Sequence, residues 1–198
     1  GSDPLDLAGH LKPPFAVKIV SADIAHKSDA GGVRLGVASH ADLATAILDV
    51  TGRARRVVPS ARIDGVIVAE MARGLEVLIG VVNDPSFGPA VALGMGGVMT
   101  EVMKDVSYRI APFGLETAHD MLAELKAAPL FGGYRGSPPA DVDALAETLV
   151  KVAGLAWDLR ATLSELDINP VFVGERGRGV MAADALAILK PPAAEHAA

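Results

Sequence analysis

Two spacings of apolar residues alternate along this chain. Phe15–Val20 is a short apolar run interrupted by Lys18, and β character resumes at Val33–Val37. Between them lies a polar loop, Ser21–Gly32, that ends in two glycines, Gly31 and Gly32, expected to let it move. Leu43, Ala46, Ile47 and Val50 then recur at the i, i+3, i+4 interval of one helix face. Ser39-His40-Ala41-Asp42 stands ahead of them as a capping box, and Arg53, Arg55 and Arg56 fall near the far end, where cations complement the helix dipole. Gly65–Glu70 is again a strand. Strand, helix and strand over this length predict a small α+β lobe over residues 15–70.

The stretch Val66–Pro112 alternates β-type runs with turn residues. It keeps acids and glycines where a strand core would not want them: Glu70, Glu76, Gly94, Gly96, Gly97 and Glu101. A carboxylate set among Val, Ile and Leu must be paired or must hold a ligand, so this stretch is expected to build a site. Glu116–Lys126 predicts a helix, and 129–140 is a Gly/Pro-rich loop in which Pro138-Pro139 stop any helix. Asp141 opens a long helix whose buried stripe is Leu145, Leu149, Val152, Ala156 and Leu159. Glu165–Val173 and Gly179–Ala183 are strands around a hairpin turn at Gly174–Gly177. The expected division is a tag or linker remnant over 1–14, the small lobe over 15–70, a large lobe over 71–190 and a disordered tail over 191–198.

Composition narrows the function. The chain has 198 residues, enough for one large domain or two small lobes. It is 51% hydrophobic but only 4% aromatic, so its core must be aliphatic. Lys+Arg number 18 against 24 Asp+Glu, a net charge of -6. That balance speaks against a nucleic-acid partner, which would want a basic face, yet a few local cations suffice for a nucleotide. There is no cysteine, which excludes disulfides and thiolate metal sites and fits a reducing, cytoplasmic setting. No apolar run reaches membrane-spanning length, and no signal pattern opens the chain.

Several residues are candidates for chemistry. Lys18, inside an apolar strand, is either an edge lysine whose head reaches water or a group aimed at a ligand. Pairing across Gly174–Gly177 would set Asp167 opposite Asp184 and Asn169 opposite Ala182, so that Asp167, Asn169 and Asp184 share one face of a ribbon. Three such oxygen ligands suit Mg²⁺, completed by phosphate and water; the plainer alternative is a solvated polar sheet face. Gly94-Met95-Gly96-Gly97 is glycine-rich, but no GKS or GKT follows, which disfavours a P-loop, and no GxGxxG follows the first strand. His26-Lys27-Ser28-Asp29 lies in the polar loop, where a histidine is ordinarily just exposed. Arg109 and Lys104 either pair with Glu101 or face a polyphosphate.

EVLIGVVNDPSFGPAVALGMGG followed by KDVSYRIAP, with HKSD before them and ELDINPV after, resembles the ATP-grasp domain of ADP-forming (NDP-forming) acyl-CoA synthetases, the acetyl-CoA synthetase relatives of succinyl-CoA synthetase. The resemblance runs from Phe15 to Lys190. It implies an α+β, ATP-grasp fold in which two lobes clasp a nucleotide, with ATP or ADP and Mg²⁺ as cofactors. By the same resemblance Lys18 reaches the phosphates; Gly31, Gly32, Gly96 and Gly97, through their backbone amides, and Arg109 are taken with it as candidates for the nucleotide site. Glu70 and Glu76 flank Met71-Ala72-Arg73-Gly74, a connection between the lobes that in the family lines the adenine and ribose pocket, where a carboxylate accepts from ribose hydroxyls and backbone groups read the adenine edge. Asn169 and Asp184 match the magnesium ligands, and Asp167 stands where succinyl-CoA synthetases carry a glutamate. His26 matches a histidine that acts as a second phosphoryl carrier, with Lys27 offsetting charge.

The reaction so implied is that of an acid–thiol ligase: acyl-CoA, ADP and phosphate give acid, CoA and ATP, reversibly, through a phosphohistidine borne by another domain or an α subunit. Only Asp3–Pro14 stands where the family has an N-terminal helical segment, and the CoA-binding and carrier domains have no counterpart in this sequence. The full reaction is therefore not expected of this chain alone. A nucleotide-sensing or interaction module without catalysis is the alternative; it would not need His26 or the metal pair.

Overall fold

The computed structural model describes residues 8–97, 105–134 and 136–191, and Glu101 and Lys104 lie outside these. The chain divides into two compact units, Gly1–Met71 and Ala72–Ala198.

In the first unit three antiparallel strands form a sheet in the order β2-β1-β3, with β1 over Phe15–Val20, β2 over Val33–Val37 and β3 over Gly65–Glu70. Phe15, Val17 and Ile19 alternate onto one face and are fully buried against helix α1, Leu43–Val57. That helix turns Leu43, Ala46, Val50 and Ala54 inward, and burying a residue such as Leu43 or Val50 contributes about 1.5–3 kcal/mol. The capping box does not form as expected. Ser39 precedes a short 3-10 turn, His40–Asp42, and its hydroxyl donates to the Asp42 carboxylate at 2.7 Å instead of accepting a backbone N–H. Arg53 is held by Asp49 one turn earlier, at 2.8 Å.

In the second unit six strands form one sheet. Its path is β6-β5-β4-β7-β8, with β9 also on β7. The strands are β4 Leu75–Asp84, β5 Gly88–Met95, β6 Val106–Ile110, β7 Leu163–Val173, β8 Val180–Ala182 and β9 Ala185–Leu189. Helices α2, Leu115–Glu124, and α3, Val142–Asp158, cover one face. The core between them is aliphatic, built on Val77, Ile79, Val81, Val91, Leu93, Leu145 and Leu149. Helix α2 ends before the expected Lys126 because buried Asp105 accepts the backbone N–H groups of Lys126 and Ala127, each at 2.8 Å, while Leu125 turns extended. Leu159 falls past the end of α3 and is exposed, so it does not belong to the buried stripe.

The hairpin register also differs from expectation. Val173 pairs with Val180 and Val171 with Ala182, and Gly174 donates to the Gly179 carbonyl at 2.9 Å. The turn is therefore Glu175–Arg178, where Arg178 donates to the Glu175 carbonyl at 2.8 Å. Placing the turn at Gly174–Gly177 put every partner two residues out. A two-residue shift preserves the face on which each side chain lies, whereas a one-residue shift would have reversed it.

Candidate nucleotide and metal-binding surfaces

Each unit presents candidate residues on the sheet face turned away from its helices. In the first unit Lys18 pairs with Val33 and Ile67 and alternates with buried Val17 and Ile19. Its side chain thus leaves the sheet on the side opposite α1. At the end of β3, Glu70 accepts the backbone N–H of Lys12 at 2.9 Å.

His26 is exposed at the start of a set of tight turns. Ala30 donates to the His26 carbonyl at 3.4 Å, Gly31 to Ser28 at 3.0 Å and Gly32 to Lys27 at 2.8 Å. Both glycines are packing positions. A Cβ on Gly32 would come within 2.5 Å of Ile19 Cδ1, and one on Gly31, which has φ +67, within 3.0 Å of Arg53 Cβ. Ile24 and Ala30 are buried beneath the same loop.

In the second unit a cross-strand row runs over the outer face. Tyr108 pairs with Ala92, Ala92 with Gly80, Gly80 with Asp167, and Asp167 with Leu186. The small residues in the middle leave a cavity of about 300 Å³, with Tyr108 on one side and Glu165 and Asp167 on the other. Next along the ribbon, Asn169 N–H donates to the Asp184 carbonyl at 3.2 Å, and the Asp184 carboxylate accepts the Ala185 N–H at 3.0 Å. Asn169 and Asp184 are thus direct partners, not Asn169 and Ala182. Directly opposed residues share a face, and Asp167 and Asn169 alternate with Leu166 and Ile168, which pack inward. The ladder to β4 is bulged at this point: Val77 pairs with Val171 but Ile79 with Ile168, so Asn169 and Pro170 together oppose Leu78. Bulges of this kind re-aim side chains beside functional sites.

The donor set is chemically suited to magnesium. Two aspartates and an asparagine are hard oxygen ligands, and phosphate and water would fill the remaining positions. Among the described residues no three His, Cys, Asp or Glu side chains gather into a metal cage.

Glu76 and the glycines form a separate feature. Gly96 donates to the Glu76 carbonyl at 2.8 Å; a Cβ on Gly96 would lie 3.0 Å from Glu76 Cβ, and one on Gly97, which has φ +65, would lie 2.9 Å from Glu76 Oε2. Both glycines are needed so that the Glu76 side chain can lie across them.

Arg109 is not brought to this surface. Tyr108 beside it faces outward and Ser107 is buried, so Arg109 points to the helix side. There its guanidinium forms a two-point pair with Glu124 of α2, which also accepts from the Ser107 hydroxyl at 2.7 Å. The Glu124 carboxyl is held below its usual range first by Arg109 and then by Ser107. What sequence reasoning missed is the floor of the cavity. Glycine inside a strand, as at Gly80, marks close approach by something else, and that signal was available.

A family model described as an ATP-grasp domain matches residues 2–189. The chain belongs to the ATP-grasp domain family. This ATP-grasp chain is 42% identical over 187 residues to the β subunit of acetate–CoA ligase (ADP-forming) II of Pyrococcus furiosus, covering 94% of the chain and 79% of that subunit. Among solved structures it is similar to the dinucleotide-forming acetyl-coenzyme A synthetase 1 of Candidatus Korarchaeum cryptofilum in complex with coenzyme A and Ca-AMPCP, with a TM-score of 0.87 and 35% identity over 94% of the chain and 80% of the other. It is also similar to the same synthetase with coenzyme A and Mg-AMPPCP, whose phosphohistidine segment points towards the nucleotide-binding site, with a TM-score of 0.79 and 31% identity over 94% and 81%. Among the described residues of the ATP-grasp chain, no helix is long and apolar enough to cross a membrane.

Proposed function

We propose that this chain is the nucleotide-binding part of an ADP-forming acyl-CoA ligase, and that it moves a phosphoryl group reversibly between a phosphohistidine and ADP. The observation that carries the reading is the pairing of Asn169 with Asp184, beside Asp167, on the outer face of the second unit's sheet. Kinship with β subunits of acetate–CoA ligases supports it. The partners are the CoA-binding and phosphohistidine-bearing domains, or an α subunit, of the same enzyme.

In this reading Asp167, Asn169 and Asp184 would hold Mg²⁺, which would supply charge neutralisation for the nucleotide's phosphates. Lys18 adds a cation for the phosphates, and Glu76, held across Gly96-Gly97, accepts from ribose hydroxyls. In the ATP-forming direction the P–N bond of phosphohistidine breaks as a terminal ADP oxygen bonds to phosphorus, and the imidazole leaves as a neutral ring once a proton is supplied. Exposed His26 takes the phosphoryl group first: its imidazole nitrogen bonds to phosphorus as the P–N bond to the partner's histidine breaks, the ring proton of His26 passes to the departing imidazole, and the new P–N bond on His26, with Lys27 beside it in sequence, is the one that ADP breaks. Arg109, paired with Glu124, takes no part in phosphate binding, and Glu70, which accepts the Lys12 N–H, stands with Glu76 at the adenine and ribose pocket.

Calorimetry with ADP, with Mg²⁺ or with EDTA, tests the proposal. Mg²⁺ should tighten binding, and Asp184→Ala should remove most of that gain. Equal affinity in Mg²⁺ and EDTA would overturn the metal assignment, and binding without any turnover in the assembled enzyme would favour a nucleotide-sensing module.

A further inference from the structure

The second unit has another cavity, on the helix side of the sheet, away from the face that carries Asp167 and Asn169. Its volume is about 600 Å³, within the range of small-molecule sites. Three segments enclose it: the entry to β4, the loop before α3 and the β7–β8 turn. They are tied to one another through the backbone. Asp141 N–H donates to the Gly174 carbonyl at 2.8 Å, Arg176 N–H donates to the Pro139 carbonyl at 2.9 Å, and Ala140 forms an isolated bridge with Glu175. Gly74 lies so close to the Val173 carbonyl that a Cβ there would collide with it. These bonds tie the loop before α3 to the β7–β8 turn.

Its lining combines an apolar floor with cationic walls. Leu75 and Val173 form the floor, and Tyr134 stands at one side. Arg73 and Arg178 both line it, and neither forms a salt bridge among the described residues; Glu175 is the single acid in the lining. Guanidinium groups offer planar forks matched to carboxylate and phosphate oxygens, while a floor of Leu and Val suits a hydrocarbon or aromatic body. We propose that this cavity is a second ligand site, distinct from the nucleotide surface, for a small organic anion: an oxyanion on an apolar body, held by Arg73 and Arg178. Because the cavity shares Gly174 and Glu175 with the turn that sets the Asn169–Asp184 pairing, an occupant would also stiffen that ribbon.

The test uses phenyl phosphate and phenylacetate as probes, titrated into the full chain by calorimetry and by ¹⁵N-resolved amide shifts. The two probes distinguish a phosphate from a carboxylate ligand. At least one should bind, with shifts centred on Gly74 and Gly174. Arg178→Ala should weaken it by about tenfold or more, as loss of a charged hydrogen bond predicts, and Arg73→Ala should weaken it likewise. Mg²⁺–ADP should neither displace the probe nor bind less well to Arg178→Ala. No binding of either probe at 10 mM, affinity unchanged in both arginine variants, or displacement by Mg²⁺–ADP would each overturn the proposal. Failure of Mg²⁺–ADP to bind at all would instead refute the nucleotide assignment, and the probe titration would still decide this site.

Discussion

Asp141 holds Gly179: the Asp141 Oδ2 accepts the Gly179 backbone N–H at 2.8 Å, while Oδ1 accepts the Ala144 N–H at 3.4 Å to cap α3. One buried carboxylate thereby joins the start of a helix to the far side of the β7–β8 turn. The turn fixes where β8 and β9 run against β7, and hence that Asp184 faces Asn169. The Asp141 carboxyl is held below its usual range, first by the Gly179 N–H, with burial opposing, and then by Ala144, Gly177 and the charge of Arg176.

A depressed folded-state value sets the sign of the pH dependence. The charged form is favoured by folding, so this contribution is fully present above the unfolded aspartate value of about 3.9 and is lost as pH falls through the lower folded value. Asp141→Asn should therefore lower the melting temperature at pH 7, and the gap to the wild type should close on acidification. Melts of both proteins at pH 7 and at pH 3 check this; a gap that persists unchanged in acid would mean that the charge on Asp141 is irrelevant.

Much of this arrangement was legible in the chain. The β1, β2 and β3 boundaries follow from period-2 runs broken by glycine and polar residues, and Asp141 as the opening of α3 follows from capping chemistry. The face shared by Asp167, Asn169 and Asp184 survived a wrong turn because two residues is one full strand period. The hydrogen bond from Gly179 to Asp141 was not legible, since it joins residues far apart in sequence and only the three-dimensional packing selects the Glu175–Arg178 turn. For Arg109 the sequence left two roles open, a pair with Glu101 or a polyphosphate contact; alternation along β6 turns it to the helices, where it pairs with Glu124.

Gly80 separates function from folding. Its Cβ would meet only Ala92 Cβ, at 3.7 Å, which is ordinary contact. Valine also suits a strand. Gly80→Val should leave the melting temperature near that of the wild type yet fill part of the cavity beside Asp167. Mg²⁺–ADP affinity should fall by about tenfold or more, equivalent to roughly 1.4 kcal/mol. Undiminished affinity in a well-folded Gly80→Val protein would place the phosphates away from the Tyr108–Asp167 row.

Arg109 gives the converse case. Its pair with Glu124 is partly solvent-exposed, with the two side chains 31% and 50% accessible, so Arg109→Ala should cost at most about 1 kcal/mol of stability. Mg²⁺–ADP binding, measured by calorimetry, should be unchanged. A large loss of nucleotide affinity without a loss of stability would return Arg109 to the phosphate site.

The loop that carries His26 yields the last prediction, because packing and chemistry can be separated within it. Gly32 is buried, and a Cβ there would press on Ile19, which lies in the core, and on the Lys27 carbonyl at 3.1 Å. Such overpacking typically costs about 1–3 kcal/mol, so Gly32→Ala should lower the melting temperature of the first unit. His26 is exposed, and His26→Ala should leave that temperature unchanged. In the assembled enzyme supplied with labelled ATP, the histidine variant should instead lose acid-labile label from this loop together with net turnover. If Gly32 were a hinge, Gly32→Ala would slow turnover while sparing stability, the reverse of what its contact with Ile19 predicts. Full turnover by His26→Ala would show that phosphate passes directly between the partner's histidine and ADP, leaving His26 as a bystander.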